Sequence, residues 1–226
     1  YYDRKKIGSN IGSFKYSIAC SFSFHAIKHI TMAEGGCVTT NNVKLAKEVR
    51  SKLSHAIVRN KGKKFLDPWY YEIKELGWNY RASEINCALG LSQLKQLKEN
   101  IKKRKEIAIQ YKKQLDEVNY ISFPRNSFMQ YANAWHLFTI LIEFQHLKIK
   151  KRDIIKKLEE KGIGTQVHYI PIFKQPYYKH TYNSKFEGCL TYYKKNLSLP
   201  MYVSLKKKDI IYICQSLKTI LGKYAK

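Results

Sequence analysis

A helical pattern that runs without a break from about Ser83 to Val118 restricts the fold more than any other feature of the chain. Ile85, Leu89, Leu94, Leu97 and Ile101 continue into Ile107, Tyr111, Leu115 and Val118 at helical spacing. Helices in globular proteins average about 11–12 residues, so a single small core does not call for one this long. Its middle, Lys98 to Glu106, is strongly polar, which prevents one apolar stripe from serving the whole length. Such a helix bridges two domains or packs against a second copy. The domain boundary is expected within it, dividing 1–105 from 106–226.

The flanking segments read as alternating strands and helices. Tyr16 to Phe24 becomes continuously apolar, as in a buried strand, and Gly35-Gly36 turns the chain into a β-branched strand, Cys37-Val-Thr-Thr40. Asn41-Asn42 offers an N-cap for a helix over Val43–Leu53, with Leu45, Val49 and Leu53 on one face. Residues 56–78 look irregular, with Gly62, Pro68 and the cluster Trp69-Tyr70-Tyr71. Beyond Pro124 the pattern gives a strand over 135–144, a helix over 151–161 and a turn at Gly162 and Gly164. A strand over 165–169, a helix over 186–196, a short strand over 197–200 and a last helix over 207–221 follow. The second half therefore reads as a small α+β domain, and the whole as α/β.

Bulk properties narrow the function classes. No apolar run reaches bilayer length and no signal-peptide layout opens the chain. The five cysteines, Cys20, Cys37, Cys87, Cys189 and Cys214, lie mostly in apolar segments with no C-x-x-C pair. They read as buried small hydrophobes in a reducing cytoplasm, with neither a disulfide framework nor a metal site. A net charge of +25 admits nucleic acid as a partner. However, the lysines are spread over nearly every predicted helix, including Lys102-Lys103-Arg104-Lys105, and read as solvated faces.

Three segments could carry chemistry. In the first, an apolar strand ends in Ser23-Phe-His25-Ala-Ile-Lys28, and Gly35-Gly36 then reverses the chain. A lysine just past a buried strand end is where desolvation turns an amine into a nucleophile toward carbonyls, and the Ser23 hydroxyl is near enough to reach an anion beside it. His25 either touches substrate there or packs the turn. The second segment, Gly77-Trp-Asn79-Tyr-Arg81-Ala-Ser-Glu84, precedes the long helix, which opens Ala88-Leu-Gly90-Leu-Ser-Gln93-Leu94. Asn79 supplies an uncharged amide donor, or is only a turn residue, while Arg81 is a forked donor for an anion or a brace for its loop. The third is Gln166-Val-His168-Tyr169-Ile-Pro171, in which His168 is either a substrate contact or a partly buried strand histidine. Neither a P-loop, nor G-x-S-x-G, nor H-E-x-x-H, nor a dinucleotide-binding glycine turn occurs.

Together these segments resemble the sugar aminotransferases of the DegT/DnrJ/EryC1/StrS family, over essentially the whole chain from Lys5-Lys6-Ile-Gly8 onward. Phe24-His25-Ala26-Ile27-Lys28 is most similar to the branch that makes 4-amino sugars for bacterial nonulosonic acids such as pseudaminic acid, although most of the family has proline where Ala26 stands. The resemblance implies the fold type I architecture of pyridoxal 5'-phosphate (PLP) dependent transferases. Residues 1–105 would be the C-terminal part of the large PLP-binding domain, and 106–226 the small domain.

By the same resemblance Lys28 forms the Schiff base with PLP, and Ser23 together with Asn79 of a homodimer partner holds the phosphate. His25, Arg81, His168 and Tyr169 face the substrates, L-glutamate and a nucleotide-linked 4-keto-6-deoxy sugar. Leu197-Ser-Leu-Pro200 and Trp135-His136-Leu-Phe138 match family segments of structural character. Family members are roughly twice this length, and the resemblance places their phosphate-binding turn, stacking aromatic and ring-nitrogen aspartate before Tyr1; Asp3 is a poor substitute. The chain is thus expected to be a fragment, inactive or nearly so alone. The competing readings are a non-catalytic remnant of such an enzyme and a basic nucleic-acid-binding protein.

Overall fold

A computed structural model describes residues 11–59, 67–124, 128, 133–178 and 186–226. Asp3, the Lys5–Gly8 stretch and Gly62 lie outside them. The chain divides into two units, residues 1–97 and 98–226.

In the first unit, β1 (Cys20–Ser23) pairs antiparallel with β2 (Gly36–Thr39), Ser23 facing Gly36 across the ladder. A Cβ on Gly36 would stand 2.6 Å from the Phe22 carbonyl oxygen, so only glycine allows this approach. Helix α1 (Val43–Leu53) begins where the sequence places it, because the Asn42 side chain accepts from the Leu45 N–H at 3.0 Å. The stretch 56–78, read as irregular, contains a short antiparallel pair, β3 (Ile57–Val58) with β4 (Glu72–Ile73).

The expected buried strand over 16–24 is a correction. β1 covers only four residues and its side chains alternate between half-buried and exposed, because a two-stranded ribbon supplies no second layer. Met32 and Ala56 are the buried apolar residues described in this unit. Ile85, Leu91, Trp69 and Leu76 are each more than 60% exposed, which leaves a broad apolar surface uncovered.

The long helix is observed as α2 (Glu84–Leu115), of which the part from Lys98 onward belongs to the second unit. There β5 (Ile121–Ser122), β6 (Phe138–Ile142) and β7 (Asn196–Leu199) form an antiparallel sheet in that order. Register pairs Phe138 with Leu199 and Ile140 with Leu197. Helices α3 (Lys151–Glu159), α4 (Glu187–Lys195) and α5 (Lys207–Lys223) complete the unit. Ile107, Tyr111 and Leu115 join Ile154, Leu158, Ile210, Ile213, Leu217 and the sheet residues in one buried cluster. Tyr111 stacks on Phe138 with centroids 4.6 Å apart and donates its hydroxyl to the Pro200 carbonyl at 2.9 Å, while burial pushes its phenol far up.

Three further expectations are corrected here. Arg104, read as part of a solvated basic run, is buried, and its guanidinium donates to the carbonyls of Trp135 (3.1 Å), His136 (3.4 Å) and Met201 (3.1 Å). Burial lowers its pKa. Residues 165–169 do not form a strand but touch the sheet through one bridge, Gln166 to Ser198. All five cysteines are free, yet only Cys214 is buried and Cys37 and Cys189 are exposed, because the elements carrying them present that face outward.

Candidate active site

The lysine loop is held by its ends and by its middle. Phe24 N–H donates to the Gly35 carbonyl and Met32 N–H to the Phe24 carbonyl, both at 2.8 Å, so the chain leaving β1 is clamped beside its return to β2. Within that clamp Lys28 N–H donates to the His25 carbonyl at 2.9 Å, forming a tight turn. Met32 is buried against Gly90 of α2, where an added Cβ would meet the Met32 Cγ at 2.6 Å. Asn86, one turn earlier on α2, donates through Nδ2 to the Glu34 carbonyl at 2.9 Å. The Gly90 notch and the Asn86 amide thus fix the loop that carries Lys28.

Ser23, His25 and Lys28 are brought together on this loop. The Ser23 Oγ accepts from the His25 N–H at 3.5 Å, a long bond that leaves the hydroxyl able to turn toward another partner. The His25 Nε2 lies 3.5 Å from the Glu34 Oε1, which braces the ring across the loop. Lys28 is half-buried, and among the described residues its ammonium has no side-chain partner.

Asn79 and Arg81 lie on a separate strap, Gly77 to Arg81, sewn to the end of α1. Trp78 N–H donates to the Lys52 carbonyl at 2.7 Å, His55 N–H to Trp78 at 2.8 Å and Tyr80 N–H to Leu53 at 3.0 Å. A Cβ at Gly77 would stand 2.3 Å from the Ala56 nitrogen, so a glycine here is a steric requirement. His55 and Ala56 hold positive φ of 61° and 53° to make the bend. The Arg81 guanidinium donates to the Ser54 Oγ at 2.9 Å, while Asn79 is exposed.

His168 and Tyr169 belong to the second unit. The His168 Nδ1 is 2.9 Å from the Ser198 Oγ, which lies 3.1 Å from the Thr139 Oγ1. The Asn196 Nδ2 donates to the His168 carbonyl at 2.9 Å. Burial lowers the His168 pKa, favouring the neutral ring. Tyr169 meets the His168 ring edge-on at 4.6 Å and is 70% exposed. Sequence reading missed Met32, Asn86, Ser54, Ser198 and Asn196. Only a glycine inside the α2 pattern signalled one of these contacts in advance.

The model of the DegT/DnrJ/EryC1/StrS aminotransferase family matches residues 3–218. The chain belongs to that family. A Campylobacter jejuni protein named UDP-4-amino-4,6-dideoxy-N-acetyl-beta-L-altrosamine transaminase is 34% identical over 100% of this chain and 56% of its own length. The solved structure of Helicobacter pylori PseC, described as an aminotransferase involved in the biosynthesis of pseudoaminic acid, superposes with a TM-score of 0.84 at 32% identity. It covers 99% of this chain, which in turn covers 57% of it. A Streptococcus pneumoniae sugar aminotransferase structure in the PMP form superposes at 0.81 with 26% identity, over 93% of this chain and 55% of that one. The chain therefore spans little more than half the length of the relatives it matches. Its fold is that of the PLP-dependent transferases of fold type I over the part it spans.

The donor set of this DegT-family chain fits PLP at two of its ends. Lys28 presents a primary amine for the aldehyde, and the Ser23 hydroxyl and Asn79 amide are neutral donors suited to the phosphate.

Proposed function

We propose that the chain carries the lysine-bearing part of a PLP-dependent aminotransferase that moves an amino group from L-glutamate to C4 of a nucleotide-linked 4-keto-6-deoxy sugar. The observation that carries this reading is the clamped loop, which fixes the half-buried, unpaired amine of Lys28 five residues from the Ser23 hydroxyl. Support for the sugar class comes from the name of the Campylobacter relative and from the description of the Helicobacter structure. In this reading residues 1–105 are the C-terminal part of a large PLP-binding domain and 106–226 the small domain.

PLP, when bound, supplies the electron sink that makes the donor's Cα–H acidic. Lys28 Nζ takes the proton from Cα of glutamate and later returns one at C4 of the sugar, as general base and then acid. Ser23 and, from a homodimer partner, Asn79 hold the phosphate. Arg81, by its forked donors, orients an anionic group of substrate, as do His25, His168 and Tyr169 through ring nitrogens and hydroxyl. The apolar positions Ile85, Leu89, Leu91 and Leu94 of α2, exposed in the single chain, support a homodimer. The described helices include none long and apolar enough to cross a membrane, and five free cysteines suit the reducing cytoplasm where we place the protein.

The test is spectroscopic. PLP added to the folded chain is expected to give an absorbance band at about 410–430 nm. Borohydride reduction followed by peptide mapping should place the label on Lys28, and Lys28→Ala should abolish both signals. A folded chain that gives no band, or a label elsewhere with Lys28 unmodified, defeats the assignment of this lysine.

A further inference from the structure

A cavity of about 600 Å³ in the second unit has none of the candidate site residues in its lining. Its wall brings together two separate stretches: the run from Glu143 through the 3-10 turn to Lys151 at the start of α3, and the last turn of α4. Five lysines line it, Lys148, Lys150, Lys151, Lys194 and Lys195, against one carboxylate, Glu143. Lys195 pairs with Glu143 at 2.7 Å, so that acid is already spent on one lysine, and among the described residues the other four have no carboxylate partner. Phe144, Leu147 and Ile149 give the same cavity an apolar side. On a convex helix face, water disperses the charge of exposed lysines. Here they converge on a concavity, where the low-dielectric walls make their summed field stronger.

Lys151 is the centre of the arrangement. Its ammonium donates to the Tyr193 carbonyl and sits 5.2 Å from the centroid of the Tyr193 ring. Lys174 lies over the same ring at 5.8 Å. Burial pulls the Lys151 pKa down to about 8. The neighbouring Arg152 and Asp153 lie near each other, Nε to Oδ1 at 3.4 Å.

We propose that this cavity is a binding site for a small organic diphosphate, its phosphates taken by Lys150, Lys151 and Lys194 and its apolar or ring portion resting against Phe144 and Ile149. The volume falls in the range of small-molecule sites, roughly 300–1,000 Å³. Two phosphates bring enough negative charge to answer the four unpaired lysines. The inference is independent of the role given to Lys28.

Lysine acetylation footprinting of the full chain tests it, with UDP, ADP and pyrophosphate as probes and uridine as the phosphate-free control. The unliganded Lys151 amine is expected to react fastest of the cavity lysines near pH 8. UDP or ADP should slow it at least tenfold, because a bound anion holds the proton on the amine and raises its pKa. Lys150 and Lys194 should be protected as well, whereas Lys156 and Lys218 should not. Lys150→Gln with Lys194→Gln, both exposed positions, should remove the protection while circular dichroism stays unchanged. Equal protection at all lysines, protection by uridine, or protection by duplex DNA without protection by any diphosphate overturns the proposal. Loss of the Lys28 band leaves this result untouched, and the reverse also holds.

Discussion

Gly77→Ala is the perturbation with the sharpest consequence for the candidate site. The added Cβ would stand 2.3 Å from the Ala56 nitrogen and 2.4 Å from the His55 carbonyl carbon. Non-bonded heavy atoms settle at about 3.5–4.0 Å, so strap and helix end must part by roughly 1 Å. Both obstacles are backbone atoms, and no side-chain rotation can relieve the clash. Parting by that distance breaks or stretches the three strap bonds, Trp78 to Lys52, His55 to Trp78 and Tyr80 to Leu53. At about 0.5–1.5 kcal/mol net for each, the local loss is about 2–4 kcal/mol. Hydrogen exchange at the Trp78, Tyr80 and His55 amides should therefore accelerate roughly 30- to 700-fold. Amides of Ile140 and Leu197, in the other unit, should keep their protection. The Arg81–Ser54 bond should be lost with the strap, and the phosphate contact proposed for Asn79 should weaken. If the strap amides of the alanine variant exchange within threefold of the native rate, the steric reasoning is wrong.

Further predictions follow from the second unit. Arg104→Met removes the donor shared by the Trp135, His136 and Met201 carbonyls and should cost about 2–4 kcal/mol in urea denaturation, far more than replacement of any exposed lysine. Because burial lowers the folded His168 pKa below its unfolded value, its neutral form contributes stability fully above about pH 6.5, and that contribution is lost as pH falls toward the folded pKa. The urea midpoint should thus drop below pH 6.5 in the native chain and drop less in His168→Gln. Tyr111→Phe loses the bond to the Pro200 carbonyl and should cost about 0.5–1.5 kcal/mol by the same assay. Gly188→Ala on α4, where an added Cβ meets nothing within 4 Å, should instead stabilise by about 0.5–1 kcal/mol; a loss would mean that the helix is packed there in solution.

Local information carried the helices. Asn42 caps α1 at the position its side chain dictates, and the apolar period of α2 and α5 reproduces their observed spans to within a few residues. The lysine, asparagine and histidine segments were equally legible, since each is a short string of residue types bound to one turn, and the match over residues 3–218 agrees with the family they resemble. Tertiary structure decided what depends on partners distant in sequence. Arg104 and its neighbours look alike as a basic run, but only Arg104 faces carbonyls 31 and 97 residues away, and it is buried. The stretch after Thr165 has strand composition, yet the edge of β7 offers it only one bridge. Met32 is unremarkable in sequence and becomes the anchor of the Lys28 loop because Gly90, 58 residues later, leaves a space the size of its side chain. Sequence determined which chemistry the chain can present, since residue type and local turn fix that. Packing between distant segments decided where that chemistry is held, since burial and close contact arise only when those segments meet.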